Sequence, residues 1–162
     1  MVKFDDTVDN KKLEESRAKE YTFKLLGKRD YISSRLKTKL EKRGYSPEVI
    51  LKVIKYLEKV SLLDDRRFAL NYARSRLNKK PRGSRVLRYE LFKKGIHSQL
   101  TGEVISSIYD EISEEELIRK LVKKKTVRRK VTDEIKDGLY RKLSRLGFSY
   151  ESIEKVLKKN AE

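Results

Sequence analysis

Three glycines, Gly44, Gly95 and Gly147, hold the same place in three stretches that align with one another: SRLKTKLEKRGYSPEVILKVI, SRVLRYELFKKGIHSQLTGEVI and KDGLYRKLSRLGFSYESIEKVL. An internal period of this kind constrains the chain more than any other feature, because each copy must then be one supersecondary unit. Eight residues before each glycine stands Leu36, Leu87 or Leu139, and four before it Leu40, Leu91 or Leu143, the buried stripe of one helix type. A glycine just past a helix supplies the positive φ that ends it, and the next residue, Tyr45, Ile96 or Phe148, can fold back onto the last turn. Ser46, Ser98 and Ser149 then lie where an N-cap is wanted, with Pro47 reinforcing the first. Val53, Val104 and Val156 mark the inner face of the helix that follows.

The preceding helices match as well. Ala18 and Tyr21 stand at the same offset from their glycine as Ala69 and Tyr72, and in the third copy Leu121 holds the alanine offset, followed by a longer link. With two prolines in the chain, apolar residues three and four apart and no alternating segment, the pattern predicts an all-α fold. It is read as three tandem three-helix repeats, 12–62, 63–112 and 113–162, after a poorly ordered N-terminal segment, 1–11. Units of about fifty residues bury too little alone, so neighbours should share faces in an elongated, curved array.

The stretch LLDDRRFALNYARSRL, residues 62–77, sets two carboxylates before a cationic run. As N-cap, Asp64 would leave Leu63 and Phe68 to close a hydrophobic staple, with Asp65 facing the positive end of the helix dipole. The device recurs at Ile112, Ser113, Glu116 and Leu117, which argues for architecture. A metal-dependent nuclease would need Asp64 or Asp65 to hold Mg²⁺ with another acid such as Glu90, and nothing supplies the rest of such a site. His97 sits beside a predicted cap, where a turn or capping role is expected rather than catalysis, and no phosphate-binding glycine loop occurs. No catalytic, cofactor or metal residue is assigned, and the chain reads as non-enzymatic.

Charge points to partners instead. The chain carries 42 Lys and Arg against 25 Asp and Glu, a net +17, which favours polyanions such as nucleic acid. Cysteine is absent and no stretch has the length of a signal or membrane-spanning segment, so a soluble cytoplasmic monomer without a membrane partner is expected. One cationic cluster, Arg74, Arg76, Lys79, Lys80, Arg82, Arg85 and Arg88, runs through a helix end, the KKPRG turn and the next helix start. A second includes Arg119, Lys123, Lys124, Arg128 and Arg129. Both are candidate contacts to phosphates or acidic side chains, on single- or double-stranded DNA without base-specific readout. Tyr72 and Tyr89, at helical spacing with apolar neighbours, read as core or half-buried.

Three motifs of the middle repeat carry a resemblance: L-D-D-x-R-F-A-x-x-Y-A-x-x-R from Leu63 to Arg76, then Arg82-Gly83, then E-L-x-x-K-G-I from Glu90 to Ile96. Together with the repeat and the length, they resemble the RecX regulators of the bacterial RecA recombinase over about residues 12–160. The resemblance implies a modulator lying in the groove of the RecA–single-stranded DNA filament, where it impedes filament growth, ATP hydrolysis and strand exchange. The alternative is a stand-alone, sequence-nonspecific DNA-binding helical-repeat protein.

Overall fold

The computed structural model describes the backbone over residues 6–126 and 132–159 and side chains over 9–123 and 132–158. Among these residues the chain is all-α, as expected, with helices α1 (Asp6–Leu26), α2 (Ser33–Lys42), α3 (Pro47–Lys59), α4 (Asp65–Lys79), α5 (Ser84–Lys94), α6 (Ser98–Glu111), α7 (Glu114–Thr126), α8 (Asp133–Arg145) and α9 (Tyr150–Lys159). None is long and apolar enough to cross a membrane. Helix α1 begins at Asp6, so residues 6–11, assigned from sequence to a poorly ordered segment, are helical.

The glycines end helices as their spacing predicts. Gly44, Gly95 and Gly147 have φ of 83°, 99° and 89°. The amides of Tyr45, Ile96 and Phe148 reach back to the carbonyls of Leu40, Leu91 and Leu143 at 3.3, 3.2 and 3.3 Å, the six-to-one bond of a Schellman motif. Both leucine stripes and all three valines are buried.

Helix starts hold with two corrections, the first being that Ser46 precedes α3 without a side-chain cap bond, its hydroxyl donating to Glu14 at 3.1 Å. Asp64 Oδ1 accepts from the Arg67 amide at 2.9 Å, Ser113 Oγ from Glu116 at 3.2 Å and Ser149 Oγ from Ser152 at 3.3 Å. Ser98, however, is the first residue of α6, and its N-cap is His97, whose Nδ1 accepts from the Leu100 amide at 3.3 Å. An imidazole nitrogen reaches the third helical amide from an extended backbone as a serine hydroxyl would, so the cap moves one residue earlier. In α7 the expected register also shifts: Leu121 is half-exposed while Ile118 is fully buried. Counting from the cap, not from the glycine, pairs Ile118 and Val122 with Ala69 and Ala73, because α8 starts at Asp133, 14 residues before Gly147, whereas α5 starts at Ser84, 11 before Gly95.

The chain divides into two compact units, residues 1–68 and 69–162. In the first, Ala18, Leu36, Leu40, Val49, Ile50, Val53, Leu57 and Leu63 form the core. Two carboxylates tie its helix ends: Glu14 accepts from the Ser46 amide at 2.6 Å, before α3, and Asp65 accepts from the Ser33 amide at 2.8 Å, at the start of α2.

In the second unit one side chain makes both kinds of tie. Glu114 accepts from the Ser84 amide at 2.7 Å with Oε1 and from the Ser149 amide at 2.8 Å with Oε2, bridging the starts of α5 and α9. Nearby, the Gly83 amide donates to the Leu146 carbonyl at 2.9 Å, and a Cβ on Gly83 would fall on Gly147 and on the Phe148 amide. Only a glycine lets the two backbones approach this closely.

Burial works against the charge on Glu114, but the Ser84 and Ser149 amides outweigh it and hold the carboxyl below its ordinary range. The unfolded chain, with a glutamate pKa near about 4.3, therefore binds the proton more readily. This stability is present above that value and is lost as pH falls through it toward the folded pKa. Glu114→Gln should lower Tm at neutral pH and flatten its fall in acid. A circular-dichroism melt series against pH checks this, and an unchanged acid limb would contradict it.

Candidate functional site

The KKPRG turn and α5 carry most of the first predicted cluster, Lys79, Lys80, Arg82, Arg85 and Arg88. Pro81 cannot continue α4, which ends at Lys79, and Gly83 opens α5. Beneath the turn, Arg76 clamps Glu90 through Nε at 2.7 Å and Nη2 at 2.8 Å, and the Tyr72 hydroxyl donates to the same carboxylate at 3.1 Å. Arg82 Nε lies 3.9 Å from Glu90, while its backbone carbonyl accepts from the Tyr109 hydroxyl at 2.8 Å. The Arg76 and Glu90 side chains are only 24% and 20% exposed, so their pairing outweighs surface screening. Arg76 holds the Glu90 carboxyl below its ordinary range against the opposing effect of burial. Burial, assisted by Glu90, pushes the Tyr72 phenol up.

Other members of the cluster differ in what they face. Arg74, on the surface, forms a bidentate pair with Glu111 at 2.8 and 3.2 Å. Arg85 donates to the Ser144 carbonyl at 2.7 Å, at the end of α8. Lys79, Lys80 and Arg88 are exposed and make no ion pair among the described residues. In the second cluster Arg119 and Lys123 are exposed on α7, whereas the Lys124 side chain, Arg128 and Arg129 lie outside the described residues. Among the described residues the predicted contacts thus divide into Arg76, which braces the fold, Arg74, Arg82 and Arg85, which each have a partner within the chain, and Lys79, Lys80, Arg88, Arg119 and Lys123, which present charge to solvent.

The carboxylates weighed for a metal site have other work. Asp64 and Asp65 receive backbone amides, and Glu90 receives Arg76 and Tyr72.

One expectation is corrected. Tyr72 is half-buried, but Tyr89 is 58% exposed, and Phe92 beside it is 64% exposed. Helix α5 buries Leu87 and Leu91, and a residue two positions from each lies about 200° around the axis, so Tyr89 must face outward. That angle was readable from sequence; apolar neighbours obscured it. Arg85, Arg88, Tyr89, Phe92, Ser98 and Thr101 line a groove of about 290 Å³ between α5 and α6. Two large aromatic rings on one exposed face, flanked by guanidinium groups, differ from singly scattered surface apolar residues and make this face a candidate interaction surface.

Comparison with known proteins agrees with this fold. A family model described as RecX, first three-helix domain, matches residues 18–57, and one described as RecX, second three-helix domain, matches residues 64–105. The chain is 34% identical over 143 residues to the regulatory protein RecX of Pelodictyon phaeoclathratiforme, covering 87% of each chain. It is 33% identical over 132 residues to that of Prosthecochloris aestuarii, covering 82% of this chain and 85% of the relative. With the Chlorobium phaeobacteroides regulatory protein RecX, identity is 40% over 97 residues, covering 64% of the relative. The crystal structure of RecX from Lactobacillus salivarius superposes with a TM-score of 0.81 over 91% of this chain and 97% of that one; at 20% identity it speaks for the fold. Identity of this order over most of both chains has one consequence: the chain belongs to the RecX family of regulatory proteins.

Proposed function

We propose that this protein is a non-enzymatic cytoplasmic regulator of the RecA recombinase, acting as a monomer in the groove of the RecA–single-stranded DNA filament and limiting filament growth, ATP hydrolysis and strand exchange. The observation that carries the reading is similarity to regulatory RecX proteins along most of the chain. The net charge of +17 and the exposed Lys79, Lys80, Arg88, Arg119 and Lys123 support it, because a filament groove offers phosphates and acidic side chains. The same cations give affinity for single- and double-stranded DNA through backbone charge.

The test is single-strand-dependent ATP hydrolysis by the cognate RecA with substoichiometric additions of this protein. Turnover should fall, and the inhibition should weaken steeply as salt rises and counterions compete. Unchanged turnover while naked DNA is still bound would leave a stand-alone DNA-binding protein and contradict the proposal.

A further inference from the structure

We infer that Tyr89 and Phe92 form a stacking platform for the bases of single-stranded nucleic acid, with Arg88 taking an adjacent phosphate. Both rings are more than half exposed, and the groove they line carries no carboxylate. Glu90, the only acid of α5, is held by Arg76 and Tyr72, and the exposed residues of the helix are Arg85, Arg88, Tyr89, Phe92 and Lys93. Lys93 Nζ lies 5.1 Å from the Tyr89 ring centroid, so positive charge borders the platform as well as the groove. A base presents a π-face to such rings while its phosphate meets the cation, the pairing used by sequence-tolerant single-strand binders.

The groove offers little to read a base edge. Thr101 at its buried side already donates its hydroxyl to the Ile96 carbonyl at 3.4 Å, which leaves the hydroxyls of Ser98 and Tyr89. Stacking without edge readout discriminates single strands from duplex, whose bases are already stacked, but not one sequence from another. The two rings are three residues apart on one helix, about 4.5 Å along its axis, so they serve one or two neighbouring bases.

This inference rests on the proposed affinity for nucleic acid, and its primary test needs no recombinase. The full chain is titrated against fluorescent oligothymidylate and against an abasic strand of equal length, which keeps the phosphates and removes the bases. Wild type should prefer the strand with bases. Tyr89→Ala with Phe92→Ala should weaken oligothymidylate binding about tenfold or more, the size of a lost stack, and leave abasic binding and the salt slope unchanged. Arg88→Ala should instead weaken both strands and reduce the log–log salt slope by about 0.7. Tyr89→Trp should keep the preference, separating stacking from any effect on folding. If the double variant binds both strands as wild type does, the inference is overturned. If it does so while failing to inhibit recombinase ATP hydrolysis, the rings dock on protein instead. If wild type binds neither strand, the nucleic-acid part of the proposed function fails together with this site.

Discussion

Gly147→Ala is expected to cost roughly 3 kcal/mol and to destabilise the unit formed by residues 69–162, whereas Gly44→Ala should cost only about 1 kcal/mol. Both glycines end a helix with positive φ, 83° and 89°, so the backbone strain of adding a Cβ is common to them. Their surroundings differ. A Cβ at Gly44 meets nothing within 4 Å, while one at Gly147 would lie 2.6 Å from the Val86 amide and Cγ2. The backbone there cannot yield freely, since the Gly147 carbonyl also accepts from the Arg85 amide at 3.3 Å and Gly83 is bonded to Leu146. Urea melts followed by circular dichroism measure both variants, and equal losses would show that this close approach is not what the glycine is for.

Reversing Lys79, Lys80 and Arg88 to glutamate should weaken inhibition of RecA ATP hydrolysis by roughly 100-fold with little change in Tm. These side chains are exposed and have no ion pair among the described residues, so reversal removes attraction to phosphate or acidic protein and adds repulsion without opening the core. Arg76→Glu should behave oppositely. It would set a second carboxylate against Glu90 where both native side chains are mostly buried, and helicity should fall before any partner contact is tested. Arg82 and Arg85 fall between these cases, because one adjoins Glu90 and the other holds the Ser144 carbonyl. Titrating inhibition and Tm on the same preparations separates the groups. Normal inhibition by the triple variant would remove the turn from the interface.

What could be read from sequence followed from local physics. The leucine stripes, the glycine stops and the caps at Asp64 and Ser113 depend on helical period and on neighbours within a turn or two, so they stood in the sequence where the structure has them. His97 in place of Ser98 is a one-residue error of the kind local rules leave, since imidazole and hydroxyl can both accept an amide. Contacts between distant residues were not legible. Asp65 to Ser33 and Glu114 to Ser149 join positions 32 and 35 apart, and no period announces which helix start a carboxylate will meet.

The same limit acted on the cationic clusters. Composition located the charge, but whether Arg76 faces Glu90 or a partner depends on how α4 packs against α5. Tyr89 shows the converse: its angle to Leu87 and Leu91 was available, and reading apolar neighbours as burial concealed an exposed ring.

A reconstruction of RecA–single-stranded DNA filaments saturated with this protein tests the central claim most directly. Density for the chain is expected along the helical groove, with residues 79–88 against DNA phosphates or acidic RecA side chains. Filaments with an empty groove, and the protein recovered only on DNA stripped of RecA, would contradict it.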